Sequence, residues 1–170
     1  MDKKPLYILG ISCFYHDSAA CLIRDGEIVS AAHEERFTRK KQDENFPVNA
    51  VKYCLSEADI SVNDLDHVAY YEKPILKFER LLMTYIKTWP RGLVSFVKSM
   101  RVWLGKKLWI NSIIKKKLGW KGDICYVPHH LSHAASAFFT SPFEESAVLT
   151  IDGVGEYSTA SIGKGKGNQI

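Results

Sequence analysis

Residues 7–33 have the sequence YILGISCFYHDSAACLIRDGEIVSAAH, and they set the architecture of the N-terminal part of the chain. They contain three short apolar runs, over residues 7–12, 19–24 and 27–33, which predict three strands. The pair Asp25-Gly26 between the last two runs is typical of a tight hairpin turn. The sequence therefore predicts three antiparallel strands at the start of the fold.

Helices and strands are predicted to alternate along the rest of the chain. Apolar residues at helical spacing predict helices over residues 47–58 and 129–139. Short apolar runs predict further strands over residues 67–71, 124–127, 147–151 and 158–162. The glycine-rich residues 163–167 are interpreted as a flexible hairpin turn.

Composition limits the class of protein. The chain has 170 residues, of which 46% are hydrophobic, so we expect one globular domain, or one domain and a fragment. No apolar run approaches the roughly 20 residues that span a bilayer. The four cysteines show no C-x-x-C spacing, and Cys13, Cys21 and Cys125 lie in apolar runs, which predicts buried thiols in a reducing compartment. We therefore expect a soluble, cytoplasmic protein without a membrane span.

A basic segment interrupts this pattern. Residues 73–121 contain thirteen Lys or Arg and one acidic residue, Glu79, together with all four tryptophans. One interpretation is a surface for acidic lipid or nucleic acid. We favour the other, a helical insertion with apolar side chains packed inward and a solvated basic face, because Pro90, Gly92 and Gly105 divide the segment into short helices. A nucleic-acid partner is accordingly not expected.

Residues 128–137, PHHLSHAASA, point to a metal site. If Pro128 begins a helix, His129 and His133 lie one turn apart on the same face, close enough to share one ion. Asp152 ends the apolar run of residues 147–151 and can direct its carboxylate toward them. A hydrogen-bonded histidine pair without metal is the alternative interpretation. The donor set suits zinc or manganese.

The order of elements resembles one lobe of the actin-like ATPase (ribonuclease H-like) architecture, followed by the opening hairpin of a second lobe. This α/β fold predicts a first lobe over residues 1–145, with the basic helical insertion at 74–121, and a truncated second lobe from 146 to 170. In that architecture the turns after the first strand of each lobe face a cleft and approach phosphate groups. Ser12, Gly153 and Gly155 are therefore the candidate nucleotide-binding residues.

Four motifs carry a more specific resemblance. They are Gly10-Ile11-Ser12 with residues 16–20, Asp25-Gly26 with residues 34–41, residues 129–136, and residues 152–156. In this order they resemble the O-carbamoyltransferase family of antibiotic biosynthesis and nodulation-factor modification, itself similar to the tRNA threonylcarbamoyladenosine modifying protein. Gln42 departs from the family pattern, which usually has histidine there.

The resemblance implies a reaction. In the family, carbamoyl phosphate and ATP form carbamoyl-adenylate in a separate domain, which we expect to lie outside these 170 residues, and the actin-like domain transfers the carbamoyl group to a substrate hydroxyl. His129, His133 and Asp152 match ligands of a divalent iron, with a further Asp expected beyond residue 170. His16 matches a histidine that assists transfer, and Arg36 and Lys41 match the border of the acceptor pocket.

Further expectations follow from the same motifs. The 170 residues alone are expected not to complete the reaction, because most of the second lobe and the adenylate-forming domain are missing. His130 is interpreted as a residue that packs or supports the metal ligands, and His33 and His67 as structural. Two other functions remain open: a general actin-like kinase or ATPase, in which the paired histidines would serve no purpose, and a non-catalytic binding module from a truncated gene.

Overall fold

A computed structural model describes residues 4–153 and 155–170, which form two compact units. The first unit contains the chain up to Tyr70 together with Trp109–Cys125, and the second contains Tyr71–Leu108 and Tyr126–Ile170. The strands are β1 Tyr7–Ser12, β2 Ala19–Arg24, β3 Glu27–His33, β4 His67–Tyr70, β5 Ile124–Tyr126, β6 Glu145–Ile151 and β7 Ala160–Lys166. The α-helices are α1 Glu35–Thr38, α2 Val48–Glu57, α3 Pro74–Thr88, α4 Leu93–Gly105, α5 Ile110–Leu118 and α6 His129–Phe138, with 3₁₀ turns at Val62–Asp64 and Lys107–Trp109.

The predicted mixed α/β fold is confirmed, and the first three strands have the predicted bounds. A five-stranded sheet has the order β3-β2-β1-β4-β5. The β1–β2 and β2–β3 pairs are antiparallel, whereas β4 runs parallel to β1. Asp25 and Gly26 have φ angles of 53° and 93°, which is the positive-φ pair that a tight hairpin turn needs. The lobe boundary at residue 145 stays a prediction.

The core of the first unit lies on the central strands of this sheet. Leu9, Leu22 and Val68 have no exposed surface, and they stand side by side in register on β1, β2 and β4. Helix α2 contacts β2 and β3, and its Ala50, Val51 and Cys54 are buried. Alternate residues of β1 are buried, as expected for a strand with one face on a core.

The second unit is built around a helix on a hairpin. Strands β6 and β7 pair antiparallel, from Glu145 opposite Lys166 to Ile151 opposite Ala160, and α6 packs on them. Ala134, Phe138 and Val148 form the buried apolar contact. A Cβ at Gly165 would lie 2.6 Å from the Phe138 ring, so a glycine is required for this close approach.

The C-terminal glycines require a correction. The turn predicted at residues 163–167 is wrong over Gly163–Lys166, because β7 continues to Lys166. Opposite this part of β7, Glu145 forms ion pairs with both Lys164 and Lys166. Cross-strand pairing and the Phe138 contact therefore keep residues 163–166 extended, although their composition favours a turn.

The basic segment forms the predicted short helices: α3 ends before Pro90, α4 begins after Gly92, and α4 ends at Gly105. The expected inward packing of the tryptophans is confirmed only for Trp103, which is buried and contacts Phe78. Trp89 and Trp109 are exposed. The apolar side of this segment is therefore only partly covered within the described residues.

Two further expectations can be compared with the structure. Cys13 and Cys54 are buried, but Cys21 is only partly buried and Cys125 is exposed, so the predicted burial of Cys125 is wrong and that of Cys21 holds only in part. Among the described residues, no helix is both long enough and apolar enough to cross a membrane.

Glu34, in the charged run that follows β3, is buried and caps a helix. One carboxylate oxygen accepts hydrogen bonds from the backbone N–H and side-chain amide of Asn49, and the other accepts from the backbone N–H of Ala50 at 2.8 Å. Both backbone donors lie in the first turn of α2, where no partner within the helix is available. The carboxylate thus fixes α2 against the end of β3.

Replacement of this carboxylate should destabilise the fold. Glu34→Ala leaves two backbone donors of α2 without their charged acceptor, and we expect a loss of about 3 kcal/mol in unfolding free energy, measured by urea denaturation. Glu27→Ala, at an exposed position of β3, is the matched control and should change it by less than about 0.5 kcal/mol. Equal effects of the two substitutions would contradict the capping role.

Asp43 gives the fold a pH dependence. Hydrogen bonds from the backbone N–H and side chain of Asn45 and from Thr38 lower the pKa of this carboxyl below 3.8. A lowered pKa stabilises the folded state above the unfolded-state value, and this stabilisation is lost as the pH falls through the lowered pKa. The unfolding free energy of the wild type should therefore exceed that of Asp43→Asn at pH 6, and the difference should shrink as the pH falls below 3.8. A pH-independent difference would contradict this assignment.

Candidate metal centre

Helix α6 carries two histidines whose imidazole nitrogens lie close together. The helix begins at His129 after Pro128, whose extended ψ of 137° directs the chain into the first turn. His129 and His133 lie one turn apart, and their Nε2 atoms are 3.2 Å from each other. Both nitrogens therefore point toward the same small volume.

Asp152 adds a carboxylate at the end of β6. Its backbone N–H donates to the Thr159 carbonyl across the hairpin, which fixes the residue just beyond the last strand pair. Its Oδ2 lies 2.7 Å from His129 Nε2 and 3.9 Å from His133 Nε2. The structure therefore brings together the three predicted metal ligands, with all ligand atoms within 4.8 Å of one another.

These distances can be compared with those between the ligands of a metal ion. Ligands about 2.0–2.2 Å from a common ion in tetrahedral geometry lie roughly 3.3–3.6 Å apart, and the observed separations fall on either side of that range. The His129 side chain is 12% exposed, whereas that of His133 is 52% exposed. A site that is closed on the His129 side and open on the His133 side leaves room for further ligands, as catalytic metal sites require.

The electrostatics favour neutral imidazole at His133. Partial burial and the neighbouring His129 lower the pKa of His133, while Asp152 acts in the opposite direction. Neutral imidazole is the form that binds metal. The Tyr71 ring contacts the His129 ring, with the ring centres 5.6 Å apart.

The loop after Asp152 is held by the basic segment. Arg80 of α3 donates a hydrogen bond to the Gly155 carbonyl, and the Glu156 carboxylate accepts one from the Lys73 backbone N–H just before α3. Desolvation, and then the nearby Glu79, raise the pKa of Tyr157. The sequence did not predict these contacts of Arg80 and Glu156, because they join residues 75 to 83 positions apart and no local pattern marks them.

Gly155 lies in a crowded position, whereas Gly153 does not. A Cβ at Gly155 would lie 2.1 Å from the Ser158 carbonyl oxygen and 2.8 Å from His130 Nε2. Nothing lies within 4 Å of a Cβ built at Gly153. Val154, between them, lies outside the described residues.

The other predicted site residues belong to the first unit. Ser12 ends β1, and His16 lies in the following turn, where its Nδ1 is 2.7 Å from the Asp17 carboxylate. The turn is fixed by backbone hydrogen bonds from Phe14 and Ser18 to the carbonyls of Glu44 and Asp43. Arg36 and Lys41 are exposed. Their predicted roles, like those of Ser12 and His16, stay predictions.

Comparison with known proteins identifies the family. Residues 7–170 match the family described as Carbamoyltransferase N-terminus. An uncharacterised protein of Synechocystis is 53% identical over 172 residues, which cover 96% of this chain and 28% of that protein. Nodulation protein NolNO of Sinorhizobium fredii is 36% identical over 163 residues, which cover 92% of this chain and 22% of that protein. The chain belongs to the carbamoyltransferase family, and it spans about a quarter of the length of these relatives.

The two glycines of the loop should respond differently to substitution. Gly155→Ala forces the loop backbone away from Ser158, and we expect a loss of about 1–3 kcal/mol in unfolding free energy. Gly153→Ala meets open space and is the matched control, with an expected change below about 0.5 kcal/mol. Urea denaturation of both variants measures the difference, and equal stability of the two would contradict the described loop packing.

Proposed function

We propose that this chain provides the metal-binding part of a carbamoyltransferase that transfers the carbamoyl group of carbamoyl-adenylate to a hydroxyl of a small-molecule acceptor. The main support is the convergence of His129, His133 and Asp152, which favours a divalent metal site, with iron(II) as the first candidate. Membership of the carbamoyltransferase family supports the group that is transferred. We propose the actin-like architecture for the fold on the basis of the strand order.

The proposed donor is made elsewhere. Carbamoyl phosphate and ATP would form carbamoyl-adenylate in a domain outside these 170 residues. A fourth metal ligand would come from sequence beyond residue 170. The relatives are long enough to contain such parts, since the chain covers 28% and 22% of two of them. On this proposal, residues 1–170 alone do not catalyse the transfer.

The transfer step requires an acceptor for a proton. The acceptor hydroxyl attacks the carbamoyl carbon, a new C–O bond forms, the bond between that carbon and the adenylate oxygen breaks, and AMP leaves. We assign the hydroxyl proton to His16 Nε2, because Asp17 lies 2.7 Å from Nδ1 and favours the tautomer with Nε2 free to accept. General-base assistance of this kind typically contributes about 10²–10⁴ in rate.

The adenylate carries negative charge that the protein must bind. A divalent metal, when bound by the triad, would offset phosphate charge and polarise the acyl oxygen as a Lewis acid. Ser12, Gly153 and Gly155 are proposed to lie against the nucleotide, where small residues allow close backbone approach. The exposed cations Arg36 and Lys41 are proposed to contact the acceptor or a phosphate.

The two other functions have less support. A general kinase or ATPase gives no reason for two imidazoles and a carboxylate to converge. A non-catalytic binding module would draw on the basic segment and the exposed Trp89 and Trp109, but it leaves the triad without a role. Metal content therefore distinguishes the proposed function from the kinase or ATPase, and a downstream reading frame that encodes the rest of the second lobe distinguishes it from the binding module.

Metal analysis of the purified protein tests the proposal. Protein expressed from its complete coding sequence and purified anaerobically should contain about one iron per chain, whereas His129→Ala/His133→Ala should contain none, because two of the ligands are gone. His67→Ala, an exposed histidine of β4, is the control and should keep the full content. Absence of bound transition metal in the wild type after addition of excess Fe(II), or full retention in the double variant, would contradict the proposal.

A further inference from the structure

His130, the neighbour of the first metal ligand, bonds to both strands of the hairpin. Its Nδ1 lies 2.9 Å from the Ser161 hydroxyl and 3.1 Å from the Thr150 hydroxyl. The two hydroxyls also bond to each other, and the Thr150 hydroxyl approaches the Ser161 carbonyl at 3.4 Å. We call these three side chains the His130 cluster.

The His130 cluster joins the two elements that carry the metal ligands. His130 directly follows His129 on α6, and Thr150 precedes Asp152 by two residues on β6. Because side chains of a strand alternate between its faces, Val148, Thr150 and Asp152 share the face toward α6. Val148 and Thr150 are both 7% exposed, in agreement with that placement.

The same face of α6 contains His130, Ala134 and Phe138, at intervals of four residues. Ala134 and Phe138 make the apolar contact to Val148; Ala134 directly follows His133, whereas Phe138 lies nine residues from His129, about 13 Å along the helix axis. Apolar contact is also non-directional. It therefore does not by itself set the distance between particular atoms such as His129 Nε2 and Asp152 Oδ2.

The atoms used by the cluster define its chemistry. His130 Nδ1 either accepts a hydrogen bond from one of the two hydroxyls, with the other hydroxyl donating to the first, or carries its own proton and donates it to one of them. The other ring nitrogen, Nε2, is buried beside Gly155 and has no hydrogen-bond partner among the described residues. The polar contact between His130 and the hairpin is therefore made through Nδ1.

We propose that His130 is a positioning residue of the metal centre, which through Thr150 and Ser161 sets the separation of Asp152 from His129 and His133. The inference rests on the proposed function, because it assigns a role relative to a metal bound by that triad. Residues that orient metal ligands typically affect affinity by 10–100-fold when they are replaced. The proposed role depends on one ring nitrogen of His130. It can therefore be tested with side chains of similar size that place a polar atom at only one of the two nitrogen positions.

Two substitutions of His130 separate its nitrogens. The Asn side chain places a polar atom near the position of Nδ1, whereas the Gln side chain places one near the position of Nε2. We expect His130→Asn to bind Co(II) within about 3-fold of the wild type and His130→Gln to bind it about 10–100-fold more weakly. Thr150→Val should weaken binding in the same range, and Thr150→Ser, which restores a hydroxyl, should recover it.

The measurement is a Co(II) titration of the protein expressed from its complete coding sequence, followed by visible absorption, which reports both affinity and ligand geometry. Phe138→Leu, at the apolar end of α6, controls for loss of packing: it should lower the urea unfolding midpoint more than His130→Gln and weaken Co(II) less.

Three results would contradict the positioning role of His130 or the proposed function. Normal Co(II) affinity and spectrum in His130→Gln and Thr150→Val would overturn the positioning role while leaving the proposed function intact. Equal weakening in His130→Asn and His130→Gln, with Thr150→Val unaffected, would also overturn it, because ring packing alone would then matter. A wild type that binds no Co(II) would contradict the proposed function, and the positioning role with it.

Discussion

The second unit depends on the contact between helix α6 and strand β6, because that contact converts two sequence motifs into one site. His129 and His133 have a fixed separation within the helix, but Asp152 reaches them only through the packing of the helix on the hairpin. The 2.7 Å separation of His129 Nε2 from Asp152 Oδ2 is therefore a tertiary distance. Apolar packing of Ala134 and Phe138 and the polar contacts of His130 together hold α6 on the hairpin.

The basic segment has a structural part in this arrangement. Arg80 and the backbone of Lys73 contact Gly155 and Glu156 in the loop that follows Asp152. A segment that sequence composition marks as an insertion thus supports the loop after the third ligand. In the first unit, Glu34 has a comparable effect on α2, since a buried carboxylate fixes the helix against the end of β3.

Local signals were sufficient for much of the fold and for the triad. The apolar runs of residues 7–33, the Asp25-Gly26 turn and the four-residue histidine spacing each specify structure within a few residues. Contacts over long sequence separations were not accessible. Glu34 resembles a solvated charge in sequence, and Gly163–Lys166 resembles a turn, yet helix capping and pairing with Glu145 decide their structures. Arg80 and Glu156 likewise acquire their roles only when the chain has folded.

The most direct test of the account is X-ray absorption spectroscopy at the iron edge on anaerobically purified protein expressed from its complete coding sequence. The account predicts imidazole scattering from two histidines and a carboxylate oxygen, at distances of about 2.0–2.2 Å from the metal. Iron whose spectrum contains no imidazole scattering, or a spectrum unchanged in His129→Ala/His133→Ala, would contradict the assignment of the triad as the metal centre.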